Sequence, residues 1–157
     1  MKSFLIISDT HGRSYDEINS LISAINSCDA LVHLGDGLGD LAPFRDRITA
    51  KILSVRGNCD ISNEPDNIFV QTDAGKIVFT HGYTHNVKSG LLNLALFARE
   101  NGCDYAFYGH THIANEDYYL GVTMLNPGSL SHSRAQNPSY AVAYVDGKKL
   151  ITKIITI

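Results

Sequence analysis

The stretch Tyr105–His112, YAFYGHTH, holds the pattern that decides the fold. An apolar run typical of a buried strand ends at Gly109 and is followed by His110 and His112, one residue apart. Side chains at i and i+2 of an extended chain leave the backbone on the same side, so both imidazoles can approach one point. The pattern predicts a strand whose carboxyl end presents two metal-type ligands.

Four earlier apolar runs finish in a similar way, each with polar side chains beside a glycine. These runs are Phe4–Ile7, Ala30–Leu34, Ile52–Val55 and Ile77–Thr80. Together the five runs are followed by four imidazoles, two carboxylates and one amide: Asp9, His11, Asp36, Asn58, His81, His110 and His112. Ligands of open α/β sheets bind outside the carboxyl ends of the strands. If these strands are parallel neighbours, the five loops converge on one place, and the adjacent glycines let side chains crowd a small object.

Two stretches have helical periodicity. In Tyr15–Ser27 and Ser89–Asn101, apolar residues recur at i, i+3, i+4 and i+7, and each stretch predicts one helix. Ser14, three residues before Glu17, predicts a capping box at the start of the first helix. A third, shorter helix is predicted near Leu38–Arg47. Strands and helices alternate at the front of the chain, which predicts an α/β fold with parallel pairing and helices packed on the sheet.

The rest of the chain is rich in strands. The further candidate strands are Ile68–Gln71, Val122–Leu125, Tyr140–Val145 and Leu150–Ile157. Hairpin turns are predicted at Ala74-Gly75 and at Gly147-Lys148. This part of the chain therefore adds antiparallel pairs to the predicted fold.

The composition of the chain limits the classes of protein to which it can belong. The chain has 157 residues, of which 44% are hydrophobic and 18% are charged, and this predicts one folded domain over residues 1–157. The formal charge of −3 argues against a broad footprint for nucleic acid or for an anionic membrane. No run approaches the roughly 20 apolar residues of a membrane span, and the first residues have too short an apolar run for a signal peptide. The three cysteines lack CxxC spacing, so we expect a cytoplasmic protein without a disulfide framework.

The seven polar side chains form too large a set for one metal ion, because a catalytic zinc takes three protein ligands. Shared through one bridging carboxylate, they suit two divalent cations about 4 Å apart. Nitrogen and oxygen donors without thiolate suit manganese, iron, cobalt, nickel or zinc, and the donor types do not choose among these metals. Manganese is the metal expected first. Two such ions leave a positive pocket after the two aspartates are counted, so a small-molecule phosphate ester is the expected substrate.

The ordered series D-x-H, G-D, G-N-x-D, H-G and G-H-x-H, together with Asn126–Ser129, resembles the calcineurin-like metallophosphoesterase superfamily, and the short chain resembles its small YfcE-type phosphodiesterases. The resemblance implies a four-layer α/β/β/α sandwich of two mixed sheets. It implies one metal held by Asp9, His11 and His112. It implies a second metal held by Asn58, His81 and His110, with Asp36 as the bridge. It further implies that a metal-bridging hydroxide hydrolyses phosphate diesters, with Asp36, Asn58 and His110 as catalytic residues.

Two positions depart from the wider superfamily. Many members carry a histidine after the ligand asparagine, where it protonates the leaving group, but this chain has Cys59. Because a thiol is a poor acid near neutral pH, His85 and His132 are candidate proton donors. Many members also carry H-G-H where this chain has H-G-Y. Substrate choice is expected to reside in the loops Tyr83–Lys88 and Ser129–Pro138.

Two alternative functions keep the same fold. One is a non-catalytic metal-binding scaffold; the absence of a histidine at Cys59 favours it, whereas the complete ligand set argues against it. The other is a phosphomonoesterase or pyrophosphohydrolase with the same metal centre, which these motifs do not distinguish from a phosphodiesterase.

Three polar residues near the set are interpreted separately. His33 lies at opposite strand parity to Asp36, which favours a core residue that bonds to the backbone. Asp60 either orients a ligand histidine or caps a turn. Arg134 is either a surface residue or a contact for a substrate phosphate.

Overall fold

The computed structural model of the chain describes residues 1–131 and 137–157. Within them the chain forms ten strands and two α-helices, joined by loops and three short 3₁₀-helices. The strands are β1 (Ser3–Ile7), β2 (Ala30–His33), β3 (Lys51–Ser54), β4 (Asn67–Thr72), β5 (Gly75–Thr80), β6 (Tyr105–Phe107), β7 (Asn115–Tyr119), β8 (Val122–Asn126), β9 (Ser139–Asp146) and β10 (Lys149–Thr156). The helices are α1 (Tyr15–Asn26) and α2 (Leu92–Glu100), and the 3₁₀-helices cover Leu38–Phe44, Tyr83–His85 and Val87–Ser89.

The strands form two five-stranded mixed sheets, with the orders β10-β9-β1-β2-β3 and β4-β5-β6-β8-β7. In the first sheet β1, β2 and β3 run parallel and β9 is antiparallel to β1. In the second, β5, β6 and β8 run parallel, and β4 and β7 are antiparallel at the edges. The predicted α/β class and the two mixed sheets are therefore confirmed. The condition that the five ligand-bearing strands are parallel neighbours holds within each sheet but not across both, because three belong to the first sheet and two to the second.

Alternate side chains of the strands divide the core into three apolar clusters. Phe4 and Phe79 meet between the sheets with ring centroids 5.7 Å apart, and Phe107 contacts Phe79 edge-on at 5.5 Å. The outer face of the first sheet, which includes Leu5, is covered by α1, and the outer face of the second, which includes Met124, is covered by α2. Each such fully buried side chain contributes about 2 kcal/mol by leaving water. The order of layers is α/β/β/α.

Hydrogen bonds between loops hold the carboxyl ends of the parallel strands of both sheets close together. The N–H of Asp9 donates to the carbonyl of Gly35 at 3.0 Å, which joins the loops after β1 and β2. The N–H of Gly109 donates to the carbonyl of His81 at 3.1 Å, which joins the loops after β6 and β5. The N–H of His110 donates to Oδ2 of Asp9 at 3.0 Å. This last bond links the two sheets where the predicted ligands lie.

The helix predictions hold with two corrections. Ser14 is the N-cap residue of α1, but its Oγ donates to the carbonyl of Thr10 at 3.3 Å and makes no capping bond, so the predicted capping box is wrong. The second helix begins at Leu92 rather than Ser89, because Val87–Ser89 forms a 3₁₀-turn and Gly90 takes a φ of 136°.

The predicted third helix is present as the 3₁₀-helix Leu38–Phe44, which contains Pro43. Proline lacks a backbone donor, so the short 3₁₀ form agrees with its presence. Among the helices of residues 1–131 and 137–157, none has the length and hydropathy that a membrane crossing needs.

The sequence pattern missed β7. All its residues, Asn115–Tyr119, are exposed, so the strand has no apolar alternation to detect. Antiparallel pairing with β8 forms it instead. The turn at Gly147-Lys148 is confirmed. The first hairpin turns at Asp73-Ala74, one residue before the predicted position, because Gly75 already pairs with Thr72.

Candidate metal centre

The first cluster of predicted ligands combines the loop after β1 with the loop after β6. Nε2 of His11 lies 3.2 Å from Nε2 of His112. Oδ1 of Asp9 lies 3.2 Å from Nε2 of His112 and 3.8 Å from Nε2 of His11. Two imidazole nitrogens and a carboxylate oxygen thus face a common point, which is the arrangement expected of three ligands around one ion.

One atom of this cluster tests whether a cation fits. Asp9 is fully buried, and its Oδ2 accepts hydrogen bonds from Oγ of Ser8 at 2.6 Å and from the N–H of His110 at 3.0 Å. Its Oδ1 is buried and has no hydrogen-bond partner among the described residues. An unsatisfied buried carboxylate oxygen is costly, and a cation at the common point would satisfy it. The cluster therefore fits a metal ion.

The second cluster combines the loops after β3, β5 and β6. Nε2 of His81 lies 3.1 Å from Nδ1 of His110 and 3.2 Å from Oδ1 of Asn58. Nδ1 of His81 lies 2.7 Å from the carbonyl of Leu34 and must donate to it, since a carbonyl only accepts. The lone pair of neutral His81 is therefore on Nε2, where the other ligands converge.

Asp36 lies between the two clusters. Its Oδ2 is 3.4 Å from Nε2 of His81 and 3.9 Å from Nε2 of His11. Its Oδ1 accepts the N–H of Cys59 at 2.8 Å, which fixes the orientation of the carboxylate. One oxygen thus faces a histidine of each cluster, as a bridging ligand requires.

The electrostatics of the carboxylates favour cations. Burial opposes the ionisation of Asp36, but hydrogen bonding to His81 and to the N–H of Cys59 outweighs it, and the pKa of Asp36 lies well below its ordinary value. Burial likewise opposes the ionisation of Asp9, but His112, His81 and Ser8 outweigh it and lower its pKa. Both aspartates are therefore charged at neutral pH.

Burial and the neighbouring charges also shift the pKa values of the two histidines in the second cluster. Burial acts to lower the pKa of His81, but Asp36 and Asp9 outweigh it and raise that pKa. The pKa of His110 is lowered by burial and by the neighbouring His81. A proton on His81 occupies the position that a cation would take, so protons and metal ions compete there.

Backbone conformation marks the same residues. Five of the seven predicted ligands take a positive φ, between 48° and 68°: Asp9, His11, Asp36, His110 and His112. A left-handed conformation costs a non-glycine residue about 1–2 kcal/mol. Such strain persists where the surroundings impose it, and it concentrates at functional sites.

Two glycines allow the close approach of the loops. A side chain at Gly57 would overlap Oδ1 of Asp36, and a side chain at Gly109 would overlap Oγ of Ser8 and approach Oδ2 of Asp9 to 2.9 Å. The adjacent glycines are therefore needed to seat the two carboxylates, as the sequence suggested.

Comparison with known proteins decides the family. Residues 1–148 match the calcineurin-like phosphoesterase superfamily domain. The chain belongs to this superfamily. The resemblance seen in the motifs is therefore confirmed.

Relatives and solved structures agree with this membership. The probable metallophosphoesterase YsnB of Bacillus subtilis is 34% identical over 141 residues, which are 88% of this chain and 81% of that protein. A predicted phosphoesterase from Streptococcus pneumoniae has a TM-score of 0.80 at 25% identity, over 99% of this chain and 89% of that one. Vps29 of Entamoeba histolytica in complex with zinc has a TM-score of 0.79 over 98% of this chain and 92% of its own. Its identity is 19%, so that likeness shows the fold alone.

Cys59 occupies the position where many superfamily members carry a general acid. The residue is exposed, and its Sγ, a nitrogen of His11 and an oxygen of Asp36 lie within 4.8 Å of one another. Partial desolvation of the thiol and the nearby Asp36 raise the pKa of Cys59, so the thiol stays protonated and is a weak acid at neutral pH.

The other candidate proton donors are His85, whose ring contacts Asn67 and Phe97, and His132. Nε2 of His85 lies 3.2 Å from Oδ1 of Asn67, and its ring packs on Phe97 with centroids 4.4 Å apart. Burial lowers the pKa of His85. His132 and Arg134 lie outside the described residues.

His33 and Asp60 have positioning roles. Nδ1 of His33 accepts the N–H of Gly35 at 3.1 Å, and Nε2 lies 3.3 Å from Oγ1 of Thr10, so the predicted bond to the backbone is present. Burial lowers the pKa of His33 to about 4. The carboxylate of Asp60 accepts four backbone N–H groups, including that of Asp36, which favours the turn-capping interpretation.

A pocket of about 250 Å³ adjoins the second cluster, whose ligands Asn58 and His81 form part of its wall. The remaining lining consists of Arg56, Gly57, Asp60, Asp66, Thr80, Tyr83 and Thr84. The motifs indicated position 83 but gave no role to Arg56 or Asp66. The position of Arg56 two residues before Asn58 was the available signal, since a strand end that delivers a ligand also places its neighbours at the site.

Proposed function

We propose that the protein is a two-metal phosphodiesterase and that residues 1–157 form its single domain. Asp9, His11 and His112 hold one divalent cation. Asn58, His81 and His110 hold the other. The observation that carries the proposal is the position of Asp36, whose Oδ2 faces His11 of one group at 3.9 Å and His81 of the other at 3.4 Å. Manganese is the metal we propose, with iron, cobalt, nickel or zinc as alternatives that also bind nitrogen and oxygen donors.

When bound, two such cations lower the pKa of a shared water and offset the charge of a phosphate. The chain supplies orientation. His81 turns its Nε2 to the site because Nδ1–H is committed to Leu34. Asn58 turns its oxygen toward His81 because its amide nitrogen donates to Sγ of Cys59 at 3.3 Å. Asp36, Asn58 and His110 are the residues for which we propose a catalytic role, since each places a ligand atom within 3.4 Å of Nε2 of His81.

A diester is preferred to a monoester on two grounds. The resemblance to small phosphodiesterases favours it. In addition, the pocket beside the second cluster carries no net positive charge among its described residues, because Arg56 is paired with Asp66 at 2.8 Å and Asp60 also lines the wall. A monoester carries more negative charge than a diester, and the described wall of this pocket has no unpaired cation to offset it. A small-molecule phosphate diester is therefore the proposed substrate, and the cytoplasm is the proposed location.

Hydrolysis of bis(4-nitrophenyl) phosphate by the manganese-loaded protein tests the proposal. Asp36→Asn removes the bridging charge and is expected to lower kcat/KM by at least about 100-fold. Asp46→Asn, an exposed aspartate away from the ligands, is the matched control. A wild-type rate for the purified Asp36→Asn variant would refute the proposal.

The rival function is a metal-binding scaffold without activity, and the thiol of Cys59 in place of a histidine favours it. Titration with manganese separates the two. Two bound equivalents accompanied by hydrolysis support the phosphodiesterase, whereas two bound equivalents with no hydrolysis of diesters, monoesters or pyrophosphates support the scaffold. Hydrolysis of monoesters or pyrophosphates alone would support the phosphomonoesterase or pyrophosphohydrolase alternative.

A further inference from the structure

A pocket lies between the loops after β3 and β5, and the residues that line it indicate which chemical group of a substrate would bind there. We propose that it binds a nucleoside-type group of the substrate, meaning a neutral ring system with hydrogen-bonding edges, while the phosphate lies at the metal centre. This inference rests on the proposed function, because it takes the metal centre as the phosphate site.

The pocket is continuous with the metal centre. Asn58 and His81 belong both to the second ligand cluster and to the pocket wall. An ester whose phosphate is held there has one substituent directed into the pocket. The volume of about 250 Å³ lies just below the range of about 300–1,000 Å³ for drug-sized ligands, so it suits one small group rather than a polymer.

The charges of the lining exclude a second phosphate as the preferred occupant. Nη2 and Nε of Arg56 donate to Oδ1 of Asp66 at 2.8 Å and 3.2 Å, and the two charges offset each other. The carboxylate of Asp60 is committed to backbone N–H groups of the loops. The wall therefore presents no net positive charge that would attract an additional anion.

The same ion pair offers hydrogen bonds to a neutral ligand. A guanidinium has five N–H donors, of which Arg56 directs two at Asp66. Both side chains of the pair are between 42% and 45% exposed, so their remaining donors and acceptors are accessible. Adjacent donors and acceptors are what the edge of a nucleobase, or the hydroxyls of a sugar, require.

Tyr83 provides the surface for a ring. It is 58% exposed and opens the 3₁₀-helix Tyr83–His85. Its ring meets that of His110 edge to face, with centroids 5.6 Å apart and an interplanar angle of 76°. This contact holds the tyrosine beside the second cluster while leaving most of the side chain accessible. A nucleobase stacks on such a ring with little dependence on its identity.

The wall is also fixed by internal hydrogen bonds. Oγ1 of Thr80 donates to the carbonyl of Asp66 at 3.2 Å, and the N–H of Arg56 donates to the carbonyl of Pro65 at 2.9 Å. These bonds hold both ends of the loop that carries the ion pair. A preformed wall loses little conformational freedom when a ligand binds.

Calorimetric titration of the manganese-loaded protein tests the proposal with two probes that share a phosphonate group. Methylphosphonate occupies the metal centre alone, and a nucleoside 5′-phosphonate also reaches the pocket; the C–P bonds of both resist hydrolysis. The nucleoside probe is expected to bind at least about tenfold more tightly. Tyr83→Ala is expected to remove most of that advantage and to leave methylphosphonate binding unchanged, whereas Tyr83→Phe retains it. Arg56→Ala is expected to reduce the advantage by removing the hydrogen bonds.

Tyr118→Ala and Arg99→Ala, exposed substitutions on β7 and α2, are the matched controls and should bind both probes as the wild type does. Equal affinity of the wild type for the two probes overturns the proposal that the pocket binds a nucleoside-type group. An equal loss of affinity for both probes in Tyr83→Ala also overturns it. If the protein still hydrolyses bis(4-nitrophenyl) phosphate, only the assignment of the pocket fails. A protein that binds neither probe and hydrolyses no phosphate ester contradicts the proposed function as well.

Discussion

Oδ2 of Asp60 accepts the backbone N–H of Asp36 at 2.7 Å, so one aspartate holds the main chain of another whose side chain lies between the two ligand clusters. The same oxygen accepts the N–H of Gly57 at 2.9 Å, and Oδ1 accepts those of Gly37 and Leu38. Asp36 has a φ of 59°, a conformation that is uncommon for residues other than glycine. The four hydrogen bonds stabilise this conformation and join the loops after β2 and β3.

This relationship predicts that Asp60→Asn weakens both the fold and the metal centre. The amide can accept at one oxygen, but its NH₂ group faces backbone donors where the second oxygen was. Loss of two charge-assisted hydrogen bonds is expected to lower the free energy of unfolding by about 3 kcal/mol, measured by urea denaturation. Displacement of Asp36 is expected to weaken manganese binding about 10–100-fold, measured by calorimetry. Asp46→Asn should change neither quantity, and unchanged metal affinity in Asp60→Asn would show that Asp60 does not position the site.

Local sequence was enough to predict where the ligands lie along the chain. An apolar run followed by a glycine and a polar side chain is a short-range pattern, and the spacing of His110 and His112 is visible within three residues. The structure brings these two histidines into different clusters, with Nδ1 of His110 near His81 and Nε2 of His112 near His11. The resemblance to the superfamily implied this division.

Features that depend on long-range pairing could not be predicted from local patterns. The loops after β5 and β6 belong to a second sheet, and their approach to the first sheet depends on contacts such as the bond between His110 and Asp9, 101 residues apart. The strand β7 is exposed throughout and exists because β8 pairs with it. The pairing of Arg56 with Asp66 likewise depends on a loop that no periodicity describes.

Cys59→His is predicted to improve hydrolysis of diesters with poor leaving groups. The backbone N–H of Cys59 holds Asp36, and a histidine retains that N–H while adding a proton donor near neutral pH. We expect kcat to rise by at least about tenfold for a dialkyl phosphate, whose leaving group is an alcohol, with little change for bis(4-nitrophenyl) phosphate, whose leaving group is 4-nitrophenolate. The measurement is the dependence of log kcat on the pKa of the leaving group. Cys59→Ser, which adds no acid, should follow the wild type, and an unchanged slope for Cys59→His would exclude a proton-donor role for this position.

His33 predicts a dependence of stability on pH. Burial lowers its pKa from 6.5 in the unfolded chain to about 4 in the fold. Between these values the unfolded state binds more protons, so the free energy of unfolding falls as the pH falls from 6.5 toward 4. The contribution of this one group is about 3 kcal/mol. His33→Asn keeps an acceptor for the N–H of Gly35 but does not titrate.

Urea denaturation from pH 4 to pH 7, in the presence of a chelator, measures this contribution. The variant is expected to lose part of the slope between pH 4 and 6.5, whatever its stability at pH 7. All other residues are the same in the two proteins, so the difference between their pH profiles reports on residue 33. Parallel pH profiles for the two proteins would show that the buried imidazole is not the source of the slope.

The unsatisfied Oδ1 of Asp9 predicts that metal binding stabilises the fold. A ligand that binds only the folded state at 100 times its Kd adds about 2.7 kcal/mol, which for a chain of this size raises Tm by about 5–10 °C. Thermal unfolding with manganese and with a chelator measures the shift. Asp9→Asn retains an oxygen that can accept the N–H of His110, but it removes the charge that faces His112 and His11. The variant is therefore expected to lose most of the metal-dependent shift while Asp46→Asn keeps it, and an unaltered shift in Asp9→Asn would mean that the buried carboxylate is not a ligand.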